Sequence, residues 1–198
     1  MKYKIILLFL LTIHFQALAQ FGEPYRNSKV VLKNGETLYG IGKTKNKGFK
    51  FKAEGESDAS FIEFSTIDFI QQEFSSDEKK VFRFFQISND ENFIKLEELV
   101  NGQHVSLYAD IYSVYSGGGL GGMSTSQTVV KYYIKRKTES KVTLLGPYSP
   151  LINNLKGKVV NYFSDCASLI QKIEDKDFRM RNGLEQIVDF YNKNCHKN

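Results

Sequence analysis

Cys166 and Cys195 are the only cysteines of this 198-residue chain, and His14, His104 and His196 are its only histidines. So few thiol and imidazole groups narrow the chemistry at once. Zinc takes three or four ligands from Cys, His and carboxylates at recognisable spacings, and no such spacing remains once the cysteines are read as a bonded pair. A thiolate nucleophile needs a nearby base and an orienting group, but neither cysteine has the glycine-rich elbow or helix-start surroundings that expose one. Serine hydrolases of the G-x-S-x-G kind are ruled out by the missing motif. Glu97-Glu98 and Asp175-Asp177 read as surface charges, His104 as a solvated residue on a polar strand face, and His196 as part of a fraying end. A carboxylate pair assembled only by the fold leaves no local signature, so a secreted hydrolase of that type is the alternative function. No catalytic, cofactor-binding or metal-ligating residue is assigned, and no cofactor is expected.

Gly117, Gly119 and Gly122 match G-x-G-x-x-G, the pattern that sets a helix N-terminus against a pyrophosphate. The run STSQTVVKYYIK after them has a strand composition and opens no helix, so residues 116–128 read as a loop joining two strands. The densest basic stretch, KTKNKGFKFK at 43–52, would place Lys43, Lys45 and Lys47 on one strand face. Such a face could meet lipopolysaccharide or nucleic acid, but a solvated strand face is the simpler reading. It lacks the arginines and the wide basic field of a nucleic-acid reader, so no nucleic-acid partner is expected.

The amino terminus fixes where this chemistry would operate. Lys2 and Lys4 precede an uncharged apolar run over 5–13, and Ala17-Leu18-Ala19 supplies the small residues a signal peptidase reads, placing cleavage before Gln20. The run is too short to cross a bilayer, which takes about 20 helical residues, and no cysteine near the cut offers lipidation. Residues 1–19 are therefore expected to be a signal peptide, with the chain exported to the periplasm or the exterior and no transmembrane anchor after cleavage. Loss of Lys2 and Lys4 from the 27 basic residues leaves 25 against 22 acidic ones, a net charge of +3. That balance is weak evidence for a polyanionic partner.

The elements that would position these residues are strands first and helices last. Asn34-Gly35 between β-rich flanks predicts a two-residue type I′ hairpin, pairing Lys33 with Glu36 and Val31 with Leu38. Further strands are expected over 48–54, 60–64, 69–74 and 79–88. A second hairpin over 92–113 turns at Asn101-Gly102, with Ile94, Leu96, Val100, Val105, Leu107 and Ala109 on one face. Strands resume over 128–137 and 141–146. From Ser149-Pro150, an N-cap followed by proline at the first helical position, the spacing becomes helical. The segregation predicts an α+β fold, with a β-rich antiparallel part over 20–148, a small barrel or a curved sheet, and a helical part over 149–198 packed on it as one domain.

Cys166, Leu169, Ile170 and Ile173 form one helical stripe, and Leu184, Ile187, Val188, Tyr191 and Cys195 form another. If 177–183 turns the chain back, the stripes face each other, and both thiols lie at the open end of the hairpin. An even cysteine count in an exported chain then predicts a Cys166–Cys195 disulfide.

The lysine-led signal ending in ALAQ, the VVLKNGETLYG hairpin, the YYIKR strand and the closing NYFSDC and YNKNC resemble the small exported proteins of unknown function found in Bacteroidota, flavobacteria especially. That resemblance covers most of the chain and implies a compartment, not an activity. The first hairpin also resembles those of small SH3-like or Sm-like barrels over about 14 residues. The expected function is a non-enzymatic envelope protein that binds or scaffolds an unknown envelope component, protein or polysaccharide.

Overall fold

A computed structural model describes residues 23–86, 92–116, 125–149 and 152–195. Ten strands run β1 (Arg26–Leu32), β2 (Thr37–Lys45), β3 (Gly48–Ala53), β4 (Ser60–Glu63), β5 (Ile67–Glu73), β6 (Lys79–Gln86), β7 (Phe93–Asn101), β8 (Val105–Ser116), β9 (Thr125–Arg136) and β10 (Thr143–Pro147). Helices α1 (Leu155–Tyr162), α2 (Ala167–Glu174) and α3 (Glu185–Asn194) come after them in the chain. The strands form one open antiparallel sheet in the order β10-β9-β8-β7-β6-β5-β1-β2-β3-β4. A short 3-10 turn, Phe64–Thr66, carries the chain from edge strand β4 back beside β1 as β5. The broad α+β expectation, strands and then helices, describes this architecture.

One face of the sheet is largely apolar, interrupted by Ser28, Gln72, Lys95 and Glu97, and the two halves bury it differently. A line of Cα partners crosses it through Leu38, Val30, Ile70, Phe82, Glu97, Ala109 and Tyr132. Over β7 to β10 the helices cover this face: Val105, Leu107, Ile134 and Leu145 pack against Leu155, Val159, Leu169, Ile187 and Tyr191. Over β1 to β6 the sheet curls on itself and encloses Val30, Phe49, Phe51, Phe64, Ile70 and Phe84. Each such buried side chain contributes about 1.5–3 kcal/mol. The curl is measurable: Lys95 Nζ on β7 donates to Thr44 Oγ1 on β2 at 2.8 Å, although four strand intervals, about 19 Å in a flat sheet, separate them. Lys95 also meets Glu23 at 3.3 Å and lies over the Phe82 ring, so its ammonium ties the curl together.

Local geometry corrects three expectations. The first hairpin has a three-residue loop, not a two-residue one: Gly35 N donates to Leu32 O, Gly35 takes φ +90°, and Val31 pairs with Thr37 while Leu38 pairs with Val30. The cause is Asn34, which keeps negative φ and accepts a hydrogen bond from Glu36 N at 3.0 Å through Oδ1. In the second hairpin a register shift between Glu98 and Val100 sends Ile94 and Leu96 to the opposite face from Leu107, where they join Tyr108 and Tyr133. The first helix starts later than Ser149, which bridges Asn153; Asn154 is its cap and accepts from Gly157 N at 2.9 Å. Pro150 lies outside the described residues, as do Gly117, Gly119, Gly122 and His196.

Candidate functional site

At the β4 end of the sheet, strand alternation turns Tyr39, Ile41, Lys43 and Lys45 of β2, Lys50 and Lys52 of β3, and Phe61 of β4 outward, while Phe49, Phe51 and Ile62 turn into the curl. Lys43 stands directly opposite Lys50, Lys50 opposite Phe61, and Ile41 opposite Lys52. Like charges that face each other across a ladder repel. Among the described residues no carboxylate pairs with Lys43, Lys45, Lys50 or Lys52, whereas Lys79, Lys80, Arg83, Lys95 and Arg136 each have one. The face therefore carries lysines outside any ion pair among the described residues, with Glu63, opposite Gly48, as the outward carboxylate of these three strands. Lys47, expected beside Lys43 and Lys45, sits instead in the tight turn with Asn46, whose φ is +49°.

Aromatic surface accompanies the lysines. Phe61 is 56% exposed on the edge strand, and its ring lies over Gly48, where an added Cβ would come within 2.3 Å of Phe61 Cζ. Lys43 Nζ lies 4.7 Å from the centroid of the Tyr25 ring. Beside β4 a groove of about 1160 Å³ is lined by Lys45, Lys50, Phe61, Phe64 and Phe93, with Glu63 its carboxylate. On the other flank a groove of about 550 Å³ mixes Tyr39, Ile41 and Lys52 with Glu54, Glu56 and Glu73. Chemically the face can hold an anionic, partly apolar ligand by charge and ring contact.

The other residues singled out in the sequence serve the framework. Cys166 and Cys195 are bonded, with Cα atoms 5.5 Å apart, at the N-cap of α2 and the C-cap of α3; Cys166 thus does stand at a helix start, contrary to the sequence reading, but its sulfur is committed to the bond. A bonded pair fits an oxidising compartment. Glu97 pairs with Lys80 at 3.2 Å. Glu98 binds Arg83 Nε and is only 9% exposed, and the same guanidinium meets Asp68 at 2.7 Å. Asp175 accepts from Gln171 and Asp177 from Lys172. His104 lies in the β7–β8 turn, where its backbone N–H donates to Asn192 Oδ1. Among the described residues no three of His, Cys, Asp and Glu gather as a metal set.

A polar network that no sequence pattern announced clamps the helices to β9. Arg136 donates to both carboxylate oxygens of Asp165 at 3.0 Å and to Tyr162 O at 2.9 Å, and it also meets the Tyr191 hydroxyl. Tyr191 in turn donates to Asp165 at 2.6 Å. The Arg136 guanidinium holds the Asp165 carboxyl below the usual carboxylate range. Burial, reinforced by the hydrogen bond to Glu139, pushes the Tyr162 phenol well above its ordinary range. Glu73 is likewise held low, by Lys79 and Asn27. Both carboxylates are thus displaced downward, the opposite of what a general acid needs.

Comparison with protein-family models, with curated proteins and with solved structures finds no match. Among the described residues no helix is long and apolar enough to cross a membrane.

Proposed function

We propose that the chain is an exported, non-enzymatic binding module of the cell envelope, periplasmic or extracellular, of the kind the Bacteroidota resemblance implies. Its ligand is an acidic envelope component, protein or polysaccharide, held on the outer face of β2, β3 and β4. The observation that carries this reading is the set Lys43, Lys45, Lys50 and Lys52, without carboxylate partners among the described residues and interleaved with exposed Tyr39 and Phe61. A sheet that places lysine opposite lysine accepts repulsion that a bound anion would relieve. The test is retention from envelope extracts on immobilised protein, wild type beside Lys43→Glu/Lys50→Glu. The wild type should retain a component that the charge-reversed variant loses. Equal retention by both would show that this face is not where the ligand binds.

A further inference from the structure

Beyond the sheet proper, β8 and β9 continue together as a two-stranded arm. Their ladder runs from Val105↔Arg136 to Ser116↔Thr125, but β7 accompanies β8 only as far as Ala109 and β10 accompanies β9 only as far as Lys131. Among the described residues, then, the β8 backbone from Ile111 onward has a bare outer edge. The last charged pair on the arm is Asp110↔Lys131 at its base. From Ile111 to Val130 the sequence has no Asp, Glu, Lys, Arg or His, in a chain whose residues are 25% charged. Ile111, Tyr112 and Val114 are 40%, 43% and 46% exposed, and they fall on both faces of the ribbon.

The same molecule blunts its other edges. The terminal strand β4 has four residues and carries Glu63. At the opposite end β10 has five, is interrupted by a register shift between Leu144 and Gly146, and finishes on Pro147. Short strands, charges, irregularities and proline are the devices that keep exposed edges from pairing with other chains. Beyond its base the arm carries no charge, proline or register shift, though its bare edge, Ile111 to Ser116, is itself short, and a ribbon of two strands is marginal by itself in water.

We propose that the β8 edge of the arm pairs antiparallel with the β8 edge of a second copy of this chain, about a two-fold axis through Ser113. A charged residue near such an axis meets its own like charge, so a charge-free strand is what self-pairing requires. Centred on Ser113, the register sets Tyr112 opposite Val114 of the second copy, an aromatic against a β-branched side chain. The paired edge is short, so the dimer forms and dissociates with concentration.

Sedimentation equilibrium of the chain from Gln20, over about 1 to 200 µM, tests this. The wild type should pass from monomer to dimer across that range. Ser113→Lys places two ammonium groups at the axis and should weaken the dimer at least about tenfold, with an unchanged circular dichroism spectrum and melting temperature at low concentration. Ser113→Cys should cross-link two copies under oxidising conditions, while Gln127→Cys on β9 should not. A wild type that stays monomeric to 200 µM, a Ser113→Lys variant that dimerises as well as wild type, or failure of Ser113→Cys to cross-link would each overturn the proposal. So would an arm that inserts Tyr112 into phosphatidylglycerol vesicles while the protein stays monomeric.

Discussion

Asn192 shows what a single side chain does in this fold. Its Oδ1 accepts from the backbone N–H groups of His104 at 2.8 Å and Val105 at 3.0 Å, and its Nδ2 donates to Val105 O at 2.9 Å and Val188 O at 2.8 Å. Gly102 leaves the room for it, since a Cβ there would lie 2.0 Å from Asn192 Nδ2. Asn192→Ala strips partners from part-buried backbone groups, and urea denaturation should register a loss of about 2–3 kcal/mol. Asp165 makes a pH-dependent contribution. Because Arg136 depresses its folded-state pKa, the stabilisation is present above the unfolded carboxylate value, about 3.9, and is lost as pH falls through the folded one. Thermal melts of wild type and Asp165→Asn should differ at neutral pH and converge in strong acid. Neither residue was legible in the sequence, because a polar position on a helix, as Asn192, or in the turn after one, as Asp165, says nothing about which turn, strand or helix 26 to 88 residues away it will meet. The cysteine pair was legible because two helical stripes and an even cysteine count pointed to one place.

Elements were legible where period and composition agreed, and registers were not. The strands over 48–53 and 60–63 lie where alternation and phenylalanine content put them. The first hairpin turns at Asn34-Gly35 yet slips by one residue, because a hydrogen bond accepted by the Asn34 side chain stabilises the longer loop. Gly35→Ala meets no atom within 4 Å, so its cost comes from φ +90° alone. That cost should be about 1–2 kcal/mol by chemical denaturation, and an unchanged midpoint would mean the turn readily adopts another form. The irregularity near Leu99 that flips Ile94 and Leu96 has no glycine or proline to mark it; packing of both faces of β7 selects it. The Cys166–Cys195 bridge closes a segment of sequence separation 29 that holds α2 and α3. Loop entropy gives about 3–4 kcal/mol for it. Hydrogen exchange on the Cys166→Ala/Cys195→Ala variant should therefore rise in α2 and α3 more than in β8 and β9, whereas a uniform rise would show that the helices and sheet unfold as one unit.

At the scale of the molecule, one sheet buries its apolar face in two ways, under a curl and under a helical cover, and this division leaves the outer side of β2, β3 and β4 free of packing duties. The curl could not be read from strand patterns alone, since alternation specifies which side is buried and not what buries it. The β2–β3 ladder sets Lys43, Lys45, Lys50 and Lys52 side by side on the outer face of the curl, beside Phe61 and the groove of about 1160 Å³. Isolated on a solvated strand they would be ordinary surface charges; gathered without partners, they define the proposed binding face. The most direct measurement of that face is a map of backbone amide chemical-shift changes as the anionic fraction of an envelope extract is titrated into labelled protein. Changes should concentrate on Tyr39 to Lys52 and Ser60 to Glu63, fading with added salt as screening shortens the reach of the lysines. Changes confined to other surfaces, or none at all at low salt, would contradict the proposed binding face.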